Sequence, residues 1–296
     1  MKAIKLFAVL LMSLLFVGCE NNNNDNDNDN EKVLEIPQGV DLNKYAFGIP
    51  LKDVDCIGDE LKFSLSFWVN AKEFNHLTEG TTLFSIRDVK APIPYNDYGW
   101  IWANVGPGRF NKNGEGLSIS IHNVYSNPYW AYPFVQYDFT EVQWYNFTFV
   151  FDYTNKREIK AYINGDLIYE TPANPTYYDY FDDKMVLLIG GYAQNRAPLD
   201  ACIDKVQIYA KALSESEVQE CMSTPLLQDP SLRAYWDFEK NSNIDSEGFM
   251  LSDNNSGVKA TMYEIETFTE VDTDRNKEYV YSIGLKVKPF TFGMGK

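Results

Sequence analysis

Aromatic and amide side chains that could hold a sugar ring are concentrated between residues 91 and 139. A pyranose packs the C–H groups of one face on an aromatic ring, while amides and backbone groups satisfy the hydroxyls at its rim. The residues that best supply this chemistry are Trp100, Trp102, Tyr129, Trp130, Asn104, Asn123 and Asn127. The pattern predicts a non-catalytic carbohydrate site on these residues.

The same aromatic residues allow two other interpretations. Trp100 and Trp102 would share one face of a strand, and β-sandwiches bury many rings in this way. Tyr129 and Trp130 stand in a proline-bounded loop, where exposure is expected, but an exposed aromatic patch can equally bind a protein. A protein-binding scaffold or adhesin is therefore the alternative function. A groove lined by tryptophan and amides would favour sugar, and a flat apolar patch would favour protein.

Residue patterns for catalysis or metal binding are weak. The chain has two histidines, His76 and His122, which are far apart in sequence, so neither a zinc site nor a Ser-His-Asp or Cys-His arrangement is supported. The Asp tract that begins at Asp25 resembles a calcium loop, but such a loop needs Gly at its sixth position and Glu at its twelfth. Asn30 and Ile36 occupy those positions. The sequence predicts no enzyme and no cofactor.

The elements that must position these residues are β-strands. Between residues 143 and 213 we expect four strands with their turns. Phe147, Phe149 and Phe151 alternate with other residues, as in a half-buried strand. Asn164-Gly165 separates two apolar runs and predicts a type I′ hairpin turn. Upstream, residues 61–69, 81–87 and 116–121 are further predicted strands, and the tryptophans outside the 91–139 segment are expected in the core: Trp68, Trp144 and Trp236.

The segment after this core begins with a short helix. Ser214 and Glu217 form a capping box at its start. Residues 232–239, 258–265 and 279–287 could each add a strand. We interpret residues 226–296 as a C-terminal β extension packed on the sandwich, because three strands make a poor independent core. A small separate module is the alternative.

The N-terminus predicts export and lipidation. Lys2 and Lys5 precede an apolar run of 12 residues, which is too short to span a bilayer and suits a signal peptide. The run ends in Leu-Phe-Val-Gly-Cys19, which resembles a bacterial lipobox, so residues 1–18 would be removed and Cys19 would carry palmitate and other acyl chains. Residues 19–35 begin with an Asn/Asp tract and are expected to form a disordered tether.

Charge and cysteine content limit the partners. The net charge is −16, and loss of the two signal-peptide lysines would take it to −18. Such a surface repels nucleic acid and anionic headgroups, so the membrane would be contacted through the lipid anchor only. Polysaccharide or oligosaccharide is the expected ligand. Cys56, Cys202 and Cys221 cannot all pair, although Cys56 and Cys221 could be neighbours if the first and last strands lie side by side.

Several motifs in one order resemble the laminin-G-like, concanavalin A-like jelly-roll family. They are Phe63-Ser-Leu-Ser-Phe-Trp-Val69, the Trp144-Tyr145 strand start, Tyr-Ile-Asn-Gly165, Ile-Gly-Gly191 and the Ile203-Asp-x-Val-x-Ile-Tyr strand. The resemblance covers roughly residues 45–222. It implies an all-β, two-sheet antiparallel β-sandwich over residues 36–225, with one short helix.

The family resemblance has further implications. Family members often hold calcium at one edge of the sandwich, and the candidate donors here would be Asp88, Asp97, Asp200 and Asp204, although a carboxylate in the last position more often anchors a turn. The superfamily also contains retaining glycoside hydrolases, whose Glu-x-Asp-x-x-Glu pattern is interrupted here by Arg275. The acidic tether and the Leu-x-Ala-Tyr-Trp-x-Phe-Glu segment resemble surface lipoproteins of the Bacteroidetes. That resemblance implies the outer membrane surface and other proteins of an uptake system as partners.

Overall fold

The structure is a computed structural model that describes the part of the chain given by the following ranges. The described residues are 39–42, 45–56, 62–71, 81–89, 101–105, 137, 144–152, 154, 158–170, 183–191, 198–238, 244–245, 249–272 and 277–288. They form two antiparallel sheets of seven strands each and one α-helix. This arrangement confirms the predicted two-sheet β-sandwich.

We call the two sheets sheet A and sheet B. Each contains strands from the N-terminal, middle and C-terminal parts of the described chain. In chain order the strands are β1 (Val40–Asp41), β2 (Tyr45–Pro50), β3 (Lys62–Ala71), β4 (Thr81–Asp88), β5 (Ile101–Val105), β6 (Trp144–Asp152), β7 (Glu158–Ile163), β8 (Asp166–Glu170), β9 (Met185–Ile189), β10 (Ala201–Tyr209), β11 (Leu232–Trp236), β12 (Met250–Leu251), β13 (Lys259–Asp272) and β14 (Lys277–Lys288). Sheet A has the order β1-β10-β3-β6-β7-β8, with β11 also paired to β10; sheet B has the order β12-β13-β2-β9-β4-β5, with β14 paired to β13. A 3₁₀ helix (Leu51–Val54) follows β2, and helix α1 (Glu215–Ser223) follows β10.

Alternating side chains build the core between the sheets. Phe63 of β3 stacks on Phe151 of β6 at 4.2 Å between ring centroids, and Phe84 of sheet B meets Phe149 edge to face at 4.6 Å. Trp236 is buried in the same core, as predicted. Because successive residues of a strand point to opposite faces, these inward rings leave the intervening residues on the outer faces.

The local signals of the sequence are confirmed, with one correction. Asn164 and Gly165 have φ of 51° and 80°, as a type I′ turn requires. Ser214 accepts from the backbone N–H of Glu217, whose side chain accepts in return, so the capping box forms. The region 143–213 holds five strands rather than four, because the two arms of the hairpin are separate strands. The predicted strand at 116–121 lies outside the described residues.

The three described cysteines are buried and free. Cys56 lies in the core between the sheets, whereas Cys221 of α1 lies in a second apolar cluster with Val218 and Tyr209 on the outer face of sheet A. The suggested pairing of Cys56 with Cys221 is therefore wrong, since sheet A separates them.

Strands of both sheets begin or end at the same end of the sandwich. In sheet A, Asn70 near the end of β3 lies opposite Trp144 at the start of β6. Gly190, which follows β9 of sheet B, accepts a 3.0 Å hydrogen bond from the backbone N–H of Leu199, just before β10. We call this the Trp144 end, and the end of the sandwich marked by Asp152 the opposite end.

Close packing on the outer face of sheet B gives a stability prediction. The ring of Tyr263 lies over Gly48, where an added Cβ would stand 2.3 Å from Cε2. We expect Gly48→Ala to lower the free energy of unfolding by about 1–3 kcal/mol, because overpacking forces a well-packed neighbour to move. Urea denaturation measures this loss. In a Tyr263→Ala background the same substitution should cost much less, and an equal cost in both backgrounds would contradict the explanation.

Candidate functional site

The strands that flank the aromatic-rich segment of the sequence meet at the Trp144 end. Strand β5 ends there, because Val105 pairs with Thr81 at the start of β4. Strand β6 begins there at Trp144. The intervening segment, residues 106–143, is therefore attached at both ends to the same end of the sandwich. This segment contains four of the predicted site residues, which are Asn123, Asn127, Tyr129 and Trp130.

Tyr137 is the described residue within that segment. Its ring packs edge to face on Tyr145 at 6.2 Å between centroids, and it contacts the core between the sheets. Burial raises the pKa of its hydroxyl, while a hydrogen bond to Asn164 acts in the opposite direction. The backbone N–H of Asn146 donates to the Asn164 side chain at 2.9 Å. Tyr137 thus contacts β6 and the β7–β8 hairpin turn.

Two of the predicted site residues, Trp102 and Asn104, lie on β5. Trp102 lies opposite Ser85, and Asn104 lies opposite Thr82. Strand β5 starts at Ile101, toward the opposite end, and runs to the Trp144 end, so Asn104 lies nearer that end than Trp102. The side chains of Trp102 and Asn104 are not among those described. Trp100, Asn123, Asn127, Tyr129 and Trp130 lie outside the described residues.

Two tryptophans that we expected in the core lie instead on the outer face of sheet A. Trp68 stands between Phe67 and Val69, which face the core, and Trp144 precedes the core residue Tyr145. Both tryptophans are partly exposed. The expectation rested on the many aromatic rings that β-sandwiches bury, and it was wrong because the period of two along each strand places these two residues outward. They lie near the Trp144 end with Asn70 on the same face.

A row of buried polar side chains continues from these tryptophans along the outer face. The Asn146 amide donates to Ser66 at 3.2 Å, and the Thr148 hydroxyl donates to Ser66 at 2.9 Å. Farther along, Gln207 donates to the backbone carbonyl of Cys221 at 3.1 Å, which ties helix α1 to this face. Helix α1 therefore packs on this outer face and reaches the β7–β8 turn, where a Cβ added at Gly165 would stand 3.3 Å from Cγ of Gln219.

Asp204 is the most deeply buried carboxylate of this face. It is fully buried, and its Oδ1 accepts a 3.0 Å hydrogen bond from the backbone N–H of Phe238. This bond confirms that the carboxylate anchors a neighbouring turn. Its Oδ2, like the indole Nε1 of Trp68 directly across the ladder, has no hydrogen-bond partner among the described residues. Burial raises the pKa of Asp204 to about 6, against the lowering effect of its backbone hydrogen bonds.

The candidate calcium donors do not converge. Asp88 ends β4 in sheet B toward the opposite end, whereas Asp204 lies in sheet A and Asp200 is exposed just before β10. Asp97 lies outside the described residues. Within the described ranges, no group of three or more His, Cys, Asp or Glu side chains could hold a metal ion. Calcium binding stays an untested expectation.

The buried Asp204 gives a prediction on pH. Its pKa is higher in the folded state than the ordinary value of 3.8, so the folded state binds the proton more tightly. Its contribution to stability is present below pH 3.8 and is lost as the pH rises through about 6. Relative to Asp204→Asn, the wild-type free energy of unfolding should fall across this interval and then level off. Urea denaturation at several pH values tests this, and parallel profiles of the two proteins would contradict it.

Solved structures resemble this chain at low identity. A proposed carbohydrate-binding protein from Bacteroides ovatus superposes with a TM-score of 0.50 at 12% identity, covering 82% of this chain and 61% of its own. This chain thus spans less than two thirds of that protein. The fourth domain of an arabinanase from Geobacillus stearothermophilus, solved with arabinotriose, matches at 21% identity and a TM-score of 0.37, covering 55% of this chain and 67% of its own. Of these two matches the first supports the fold, because its TM-score reaches 0.50.

A ligand-binding domain of botulinum neurotoxin serotype D, solved with N-acetylneuraminic acid, covers 79% of this chain and 66% of its own at 13% identity and a TM-score of 0.39. No curated protein matches the sequence. The family model of the concanavalin A-like lectin/glucanases superfamily matches residues 48–219, from β2 into α1. This match covers more than half of the chain, and the observed sandwich agrees with it. The chain belongs to the concanavalin A-like lectin/glucanases superfamily.

Proposed function

We propose that this protein binds polysaccharide without cleaving it, through the Trp144 end of the sandwich. The observation that carries the proposal is the attachment of the aromatic-rich segment 106–143 at both ends to one end of the fold. A rigid sandwich that presents loop aromatics at one end can offer ring platforms at fixed positions. Tyr129 and Trp130 are the proposed platform, with Asn123 and Asn127 as hydroxyl partners.

The described residues near this end include further aromatic rings on which a sugar could stack. Trp68 and Trp144 are partly exposed rings on one face, and Asn70 lies opposite Trp144 in the ladder. The indole of Trp144 reaches Gly39, where an added Cβ would stand 2.8 Å from its Cη2. Partly exposed aromatic rings supply the stacking half of sugar binding, although the Asn70 side chain beside them is buried. Trp102 and Asn104 extend the proposed site onto the neighbouring edge strand β5.

A non-catalytic role fits the distribution of carboxylates better than hydrolysis. The nearest match to a retaining hydrolase pattern begins at Glu270 and Asp272, which lie in the C-terminal part of β13, and its last position is Arg275. Retaining hydrolysis needs two carboxyl groups about 5 Å apart that flank the sugar. With Arg275 in the last position, the pattern lacks the second glutamate that retaining hydrolysis would need.

We further propose that the protein is held at the outer membrane surface by lipid on Cys19. The tether of residues 19–35 would carry the sandwich away from the membrane and leave the Trp144 end free to meet long glycans. No helix in the described ranges has the length and apolarity to cross a bilayer. Proteins of an uptake system are the proposed neighbours, and a protein-binding scaffold or adhesin stays the alternative function.

A glycan array of the protein from Glu31 to Lys296 tests the proposal. Binding to one polysaccharide class is expected, and Trp130→Ala should weaken it by about tenfold, because each stacked ring contributes roughly 1 kcal/mol or more. Trp102→Ala should weaken binding too if β5 forms part of the site. Leu227→Ala changes an exposed apolar residue after α1, remote from the site, and is the matched control.

One outcome of this experiment would contradict the proposal, and another would extend it. A folded protein that binds no glycan on the array would argue against sugar binding and favour the protein-binding alternative. Loss of binding with EDTA, with the fold unchanged by circular dichroism, would instead place calcium in the site.

A further inference from the structure

The indole of Trp144 lies across the outer face of sheet A. Trp144 begins β6, and the strand order places β3 and then β10 between β6 and β1. The far edge of the indole nevertheless reaches Gly39, which directly precedes β1. A Cβ added at Gly39 would stand 2.8 Å from Cη2 of Trp144 and 2.7 Å from the backbone oxygen of Ile203 in β10. Because neighbouring strands lie about 4.8 Å apart, the indole extends over β3 toward β10.

The side chains beneath this ring are buried. Asn70 of β3 faces Trp144 across the ladder and is 5% exposed, and Cys202 of β10 faces Asn70 and is 3% exposed. These side chains point outward, since the next residues along the two strands, Val69 and Ile203, face the core. Trp144 itself is partly exposed. One broad face of the indole therefore packs on the sheet, and the other broad face meets solvent.

A ring in this orientation offers a flat apolar surface, and a carboxylate lies near it. The C–H groups of a pyranose pack on such a surface, while its hydroxyls need polar partners. Asp200 stands between Leu199 and Ala201, which face the core, so it belongs to the outer face, where it is exposed. It lies two residues before Cys202, or about 7 Å along the strand direction. A carboxylate accepts through both oxygens and can bind two adjacent hydroxyls.

The charge of this surface selects among glycans. An acidic sugar stacked on Trp144 would bring its carboxylate close to Asp200, in a protein whose net charge is −16. Like charges repel at such distances, whereas an uncharged pyranose gives Asp200 hydroxyl donors without this cost. The site therefore fits neutral glycans better than glycans rich in uronic acids.

We propose that a neutral pyranose stacks on Trp144, that Asp200 binds hydroxyls of the same sugar, and that Gly39 positions the indole. This inference rests on the proposed function, which it narrows to uncharged glycans and to the outer face of sheet A. Gly39 has a φ of 57° and no Cβ, so the edge of the indole can lie against it. A side chain at this position would displace the ring from the sheet.

Affinity electrophoresis in gels that contain soluble polysaccharides tests the ligand class. The probes are neutral galactan, glucan, xylan and mannan, with polygalacturonate as the acidic counterpart of galactan. Protein from Glu31 to Lys296 contains every strand of the two sheets. We expect at least one neutral polymer to retard the wild type. Polygalacturonate should not retard it, because each of its sugars carries a carboxylate.

Substitutions of the two contact residues test the site. Trp144→Ala should weaken binding to the neutral polymer by about tenfold, because the stacked ring is lost. Trp144→Phe keeps a flat ring and should lose less. Asp200→Ala should also weaken binding by about tenfold, because the hydrogen bonds to a charged group are lost. Asp53→Ala removes an exposed acid at the opposite end and is the matched control.

Gly39→Ala tests the positioning of the indole. It should weaken binding at least about fivefold in the wild type, because the added Cβ displaces the ring. In the Trp144→Phe background the loss should be much smaller, since the shorter ring does not reach Gly39. A purely structural role of Gly39 would give the same loss in both backgrounds and would contradict the positioning. Circular dichroism and thermal melting establish that each variant is folded.

The outcomes separate this inference from the proposed function. A folded wild type that binds no polysaccharide, neutral or acidic, overturns both. If the wild type binds a neutral polymer and Trp144→Ala binds it equally well, the inference alone is overturned, because the sugar then binds elsewhere. Preference for polygalacturonate also overturns the inference but leaves polysaccharide binding in place. Loss of binding in Trp144→Ala and Asp200→Ala, with Asp53→Ala unchanged, supports it.

Discussion

The packing of phenylalanines between β3 and β6 is the interaction on which the rest of the structure depends. These strands are neighbours in sheet A, and their inward rings, Phe63, Phe67, Phe147, Phe149 and Phe151, fill the space between the sheets. Phe84 closes the layer from sheet B. Because the side-chain direction alternates, fixing these rings inward also fixes which residues face out. The outward pair of Trp68 and Trp144 is a direct consequence.

The outer face of sheet A has two halves. Helix α1 covers one half through an apolar cluster that includes Val218 and Tyr209, and Gln207 binds the carbonyl of Cys221. The other half carries Trp68, Asn70 and Trp144 near the end where segment 106–143 is attached. The turn after β11 is tied to this half through Asp204. The phenylalanine core supports both halves, and the second half lies at the end where we propose that polysaccharide binds.

Local patterns predicted the strands, whereas the predicted site residues stay a prediction. Period-two alternation identified β3 and β6, the Asn164-Gly165 turn was readable from two residues, and Ser214 with Glu217 marked the start of α1. Such signals act within a few residues. The outward position of Trp68 followed from the same alternation but conflicted with the tendency of large rings to be buried. Contacts across long stretches of sequence, such as that of Asp204 with Phe238, depend on strand order, which no local pattern specifies.

The most direct measurement of the central claim is hydrogen exchange with mass spectrometry, with and without a bound oligosaccharide. Our account predicts added protection in peptides from segment 106–143 and around Trp144 and Asn70. It predicts no change at the opposite end, where Asp152 ends β6. Protection at the opposite end, or confined to the β7–β8 edge, would contradict the assignment of binding to the Trp144 end.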